Sequence, residues 1–165
     1  QNSIVANKLN AYPLETKKGT LFTASIYAEP INQTLKYIKQ NIPKEKSILV
    51  IPEGLMINFL SDRPSHGWYY TLLPNYIETI GEDNIINNFK NNSPDYIILS
   101  NRDCSDYRYK YFGIHFGVKI FDFINKNYEF IKEFGNEQNF KIYKKRHKKP
   151  QEFNPRVKMV SSAIY

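Results

Sequence analysis

Two short apolar runs constrain this chain more than anything else in it: "KSILVIPEG" at residues 46–54 and "PDYIILS" at residues 94–100. Each sets consecutive aliphatic or aromatic side chains between charged and turn-forming residues, so neither has a polar face to show to water. A strand of that kind has to be covered on both sides, as in the middle of a parallel sheet flanked by helices. Ile48, Leu49, Val50 and Ile51 predict one such strand, and residues 95–100 predict a second.

The segments between them read as helices. In "PINQTLKYIKQNIP", Ile31, Leu35, Ile38 and Ile42 share one helical stripe, with Pro30 suited to the first turn and Pro43 to the stop. "LMINFLSDRP" carries Leu55, Met56, Phe59 and Leu60 at helical spacing, and "EDNIINNFKNN" opens on acidic residues and turns Ile85, Ile86 and Phe89 inward. "SHGWYYTLLPNYIETIG" lacks clean periodicity and predicts a long surface excursion. Phe116, Ile120, Phe123 and Ile124 form a last helical stripe, with His115 expected on the same helix and partly buried. "YEFIKEFGNEQNFKIYKKR" alternates in two runs about "GNEQN", the pattern of a hairpin in which Tyr128, Phe130 and Ile131 face Phe140 and Ile142. The order predicts an α/β fold: an open mixed sheet, mainly parallel, with an antiparallel C-terminal hairpin and helices on both faces. Residues 1–146 form the single domain of this reading and residues 147–165 a basic tail or arm; residues 19–23 admit more than one assignment.

A length of 165 residues suffices for one such domain, which buries roughly two thirds of its unfolded surface without metals or disulfides. The net charge of +7 is unevenly spread. Residues 1–140 hold 15 basic and 15 acidic side chains, so the whole excess lies in residues 141–165. Lys144, Lys145, Arg146, Lys148 and Lys149 head that stretch. A basic segment on a neutral body reads first as solvated chain, then as a contact for anionic lipid headgroups, and last as a nucleic-acid contact. Cys104 is the only cysteine, which leaves no internal disulfide and no Cys/His zinc cluster. No apolar run approaches the roughly 18 residues that cross a bilayer. The chain opens on Gln without a charged region followed by an apolar one, and reads as a fragment of something longer.

In open α/β sheets, ligands gather beyond the carboxyl ends of parallel strands. Glu53 and Gly54 leave the first strand; Asn101, Arg102 and Asp103 leave the second. A rim of these five, joined by Arg63, Tyr69 and Tyr70 from the excursion, is the candidate site. The rival reading of the same residues is a solvated loop, with Tyr107, Tyr109 and Tyr111 packed on the sheet edge. Trp68, Tyr69 and Tyr70 suit stacking on a sugar face, a membrane headgroup belt, or plain core packing. Glu53 and Asp103 form an acid/base pair only if they lie close together. No G-x-S-x-G, P-loop or G-x-G-x-x-G is present, and nothing pairs Cys104 with His66, His115 or His147. No catalytic residue, metal or cofactor is assigned.

Three stretches together resemble a known family: "PINQTLKYIKQNIPKEKSILVIPEGLMINFLSDRPS", "NNFKNNSPDYIILSNRDCSDYRYKYFG" and "YEFIKEFGNEQNFKIYKKR". They are similar, over about residues 20–146, to the C-terminal soluble domain of bacterial GT-C membrane glycosyltransferases of the dolichyl-phosphate-mannose-protein mannosyltransferase type. The resemblance implies an extracytoplasmic accessory domain on the outer side of a bacterial cytoplasmic membrane, within an integral membrane protein that takes sugar from a polyprenyl-phosphate donor. The catalytic acid of such enzymes lies on an early loop of the membrane part, so no catalytic residue carries over. Implied partners are the transmembrane domain of the same polypeptide and a glycan or polyprenyl-phosphate-sugar acceptor complex. Two other readings stand beside it: a free-standing module whose basic tail contacts anionic lipid or nucleic acid, and a small α/β enzyme using the same rim.

Overall fold

In the computed structural model, residues 11–19, 21–67 and 69–146 are described. The fold grows from the two apolar runs. Ile48–Ile51 (β3) and Tyr96–Ser100 (β4) pair in parallel with Ile48 opposite Tyr96 and Ile51 opposite Leu99, and every residue of both strands is buried. A polar clasp sets their register. Asp95 Oδ2 accepts from the Ser47 amide and hydroxyl, each at 2.9 Å, and the Asp95 amide donates back to Ser47 Oγ at 2.9 Å.

Tyr128–Phe134 (β5) and Phe140–Lys145 (β6) form the expected hairpin, and its second strand lies against β4. The strand order is therefore β3-β4-β6-β5. The mixed sheet is not mainly parallel, since β3–β4 is a parallel seam while β4–β6 and β6–β5 are antiparallel. Two-sided burial of a strand reports that helices cover its faces; it carries no information on the direction of the strand beside it. Nor is β3 central. It is an edge strand whose free side is covered by its own chain: the Asn58 side-chain amide and the His66 backbone amide both donate to the Ile48 carbonyl, at 3.1 and 3.2 Å, and the Leu72 amide donates to the Pro52 carbonyl at 2.7 Å. Such cover keeps an edge from pairing with another chain.

Helices lie on both faces. Ser25–Asn41 (α1) and Leu55–Leu60 (α2) bring Ile31, Leu35, Ile38, Ile57 and Leu60 against Ile48, Val50, Ile98 and Ile142. On the other face Glu82–Asn91 (α4) and Val118–Asn127 (α5) bring Ile85, Phe89, Ile120 and Ile124 against Leu49, Ile51, Ile97 and Leu99. The two sets of strand residues alternate, as a pleated strand requires.

Four local expectations are corrected. Helix α1 begins at Ser25, so Pro30 sits inside it. The excursion is not all surface: Pro74–Ile80 forms a helix (α3), with Pro74 in its first turn, and Leu72, Leu73 and Ile77 are buried. The bulky aromatics and glycine ahead of it mask that short period. His115 stands exposed in a turn before α5, its Nδ1 accepting from the Tyr111 amide at 3.2 Å. A register shift between Phe130 and Lys132 leaves Phe130 half exposed, edge-on to Tyr143 at 5.8 Å. Residues left open near the start form a hairpin, Ala11–Leu14 (β1) with Leu21–Ala24 (β2).

Candidate functional site

The parallel seam carries β3 and β4 out of the sheet side by side, so their polar exits meet as the sequence predicts. Arg102 occupies the middle. Its Nη1 lies 2.6 Å from Glu53 Oε2, a close ion pair without hydrogen-bond alignment, and its Nη2 donates to Asp106 Oδ2 at 3.0 Å. The guanidinium also lies over the Tyr107 ring, 5.7 Å from its centre. Ser100 Oγ, at the end of β4, donates to the Glu53 carbonyl at 3.4 Å and ties the two exits together.

Gly54 lets the chain turn at once from β3 into α2. A Cβ there would fall 2.2 Å from Val50 Cγ1, so only a residue without one fits. The turn opens a cleft of about 420 Å³ lined by Glu53, Gly54, Leu55, Met56, Tyr70 and Thr71. Tyr70 is 67% exposed on its wall.

The other predicted rim residues divide. Asn101 faces the hairpin: its Oδ1 accepts from the Asn139 amide at 2.8 Å and its Nδ2 donates to the Glu137 carbonyl at 2.7 Å. Asp103 caps the turn that follows, its carboxylate accepting from the Ser105 hydroxyl and amide, which hold its pKa below the usual carboxylate value. Asp103 and Glu53 thus have separate partners, Ser105 and Arg102. Tyr69 turns inward, edge-on to Phe89 at 6.1 Å. Trp68 lies outside the described residues, as do His147, Lys148 and Lys149.

Arg63 is not on the rim at all. The chain folds back after α2, and the buried guanidinium donates to the carbonyls of Ile42, at 2.6 Å, and Pro43, just past the end of α1. That position is near the amino end of β3, opposite Glu53. For Asp106 the one signal in the sequence is its four-residue spacing from Arg102. Cys104 is buried, which pushes its thiol pKa up and makes it a poor nucleophile.

At the opposite end of the sheet lies a larger concavity of about 1020 Å³. Lys144 and Lys145 line it from within strand β6 rather than from a free tail, with Arg146 immediately after them. Among the described residues no group of three or more His, Cys, Asp or Glu converges as metal ligands would, and no helix is long and apolar enough to cross a membrane. Comparison with protein-family models, curated proteins and solved structures finds no match to this chain.

Proposed function

We propose that this chain is the non-catalytic, extracytoplasmic domain of a polytopic bacterial glycosyltransferase that takes sugar from a polyprenyl-phosphate donor. In this proposal the rim at the exits of β3 and β4 binds the acceptor or its glycan. The observation that carries the reading is the Glu53–Arg102–Asp106 cluster standing beside the Tyr70 cleft. Carboxylates accept from sugar hydroxyls, a guanidinium donates to them, and an exposed tyrosine ring packs on the C–H face of a pyranose. The motif resemblance over residues 20–146 supplies the enzyme class, and the rim supplies the task within it.

The test is sugar transfer by the full-length parent carrying Arg102→Ala or Glu53→Ala. Loss of one charge-assisted contact predicts about a tenfold fall in transfer efficiency. Turnover and acceptor affinity unchanged in both variants would leave the rim as a solvated loop. The enzyme class has its own check: the parent reading frame ahead of Gln1 should encode several apolar segments of about 20 residues.

A further inference from the structure

The concavity at the amino end of β3 and β4 gathers cations from segments far apart in sequence. Lys46 precedes β3, Lys90 lies in the last turn of α4, Lys126 in the last turn of α5, Lys144 and Lys145 close β6, and Arg146 follows it; the one carboxylate on the lining is Asp95. The bland explanation is that these lysines complement helix dipoles, since α1, α4 and α5 all end here, at Asn41, Asn91 and Asn127. A helix carboxyl end carries about half a negative charge. Three such ends and Asp95 together balance only some two or three of the six cations, and about three to four positive charges remain.

The committed groups are also identifiable. Lys46 pairs with Asp95 at 3.1 Å, and Arg146 Nε donates to the Tyr128 carbonyl at 3.0 Å. Among the described residues Lys90, Lys126, Lys144 and Lys145 have no carboxylate within ion-pair distance, although Lys90 Nζ makes a long hydrogen bond to Asn87 Oδ1 at 3.5 Å. Glu129 stands opposite Lys144 in the hairpin register, outside that distance and off the lining. Tyr96, Phe123 and Tyr128 are the aromatic side chains on the lining; Tyr96 and Tyr128 are buried, and Phe123 is the half-buried ring that offers surface. We propose that this concavity is a binding site for a phosphate or diphosphate ester, its anionic head held by Lys90, Lys126, Lys144 and Lys145 and its organic part resting against Phe123. A second concavity, lined by Lys17, Lys36, Lys39, Lys44 and Arg63 with Glu15 and Asp62, also carries basic charge but has no aromatic side chain on its lining, so of the two only the hollow beside Lys90 and Lys126 combines cations with an aromatic group.

The experiment uses the full 165-residue chain at low ionic strength, with two probes: inorganic pyrophosphate, followed by calorimetry, and vesicles of phosphatidylglycerol, with phosphatidylcholine as blank. Lys90→Glu with Lys126→Glu is compared with Lys110→Glu and Lys132→Glu, which change net charge equally away from the hollow. The expected result is saturable binding that weakens about tenfold or more in the first double variant and within about twofold in the second. Pyrophosphate binding identifies a soluble ester, and phosphatidylglycerol binding without it identifies a lipid headgroup; each supports the site. No saturable binding to either probe overturns the proposal. So does equal weakening in both double variants, which would make it a net-charge effect, or no weakening in either, which would assign binding to the basic residues after Arg146. Unchanged thermal midpoints show that the variants fold.

Discussion

Truncation of Arg63 separates a role in closing α1 from the rim role its sequence position suggests. The side chain is 6% exposed, and its guanidinium donates to the carbonyls of Ile42 and Pro43. These carbonyls lie at the negative end of the α1 dipole, where a cation is favourable. In Arg63→Ala the two bonds are unequal losses. Pro43 is exposed and water can take over its carbonyl, at a cost of about 1 kcal/mol; Ile42 is buried, and its unpaired carbonyl costs up to about 2 kcal/mol. Removing a buried charge offsets part of this, leaving about 2 kcal/mol. For a domain of this size that loss lowers the thermal midpoint by about 4–8 °C. Equilibrium urea denaturation should show a lower midpoint at constant slope, with Arg63→Lys recovering about half, because one ammonium keeps the charge but not the two-pronged geometry. Stability within about 0.5 kcal/mol of the parent chain would refute the capping argument. Weakened glycan binding at unchanged stability would return Arg63 to the rim.

Two further outcomes follow from the fold. Burial alone would raise the Asp95 carboxyl, but the Ser47 amide and hydroxyl and the Lys46 ammonium together hold it below its usual value. Its stabilisation is then present above the unfolded carboxyl pKa near 3.9 and is lost as pH falls through the lower folded value. Asp95→Asn should therefore cost about 1 kcal/mol at neutral pH, a figure already discounted for a side chain 36% exposed, and flatten the acid limb of a stability profile taken below about pH 4. Acid limbs that superimpose would remove the clasp from the account. Gly54→Ala places a methyl 2.2 Å from Cγ1 of buried Val50 and should cost about 1–3 kcal/mol in urea denaturation, with binding at the Tyr70 cleft weakened as α2 shifts; an unchanged midpoint would show that the turn has room.

The candidate rim was legible in sequence only as far as chain direction could be read. Glu53 and Arg102 meet because they leave neighbouring parallel strands; the sequence shows two buried runs each followed by polar residues, and the structure supplies their parallel pairing. Arg63 follows the same polar pattern, yet its side chain is spent on the end of α1, because a reversal after Leu60 carries it to the opposite end of β3. The basic hollow left almost no local trace. Lys46, Lys90 and Lys126 each read as an ordinary surface lysine, and only their meeting with Lys144 and Lys145 gives them a shared field.

The sequence by itself determined that residues 48–51 and 96–100 would be covered on both faces and that amphipathic helices would cover them, because burial follows from the side chains at each position. Only the tertiary structure decided that β6 would lie beside β4, that two of the three seams would be antiparallel, and which charges would share each end of the sheet. Pairing direction and charge convergence depend on where distant segments meet, and apolar contact, which has no direction, leaves that choice to backbone hydrogen bonding and the path of the whole chain.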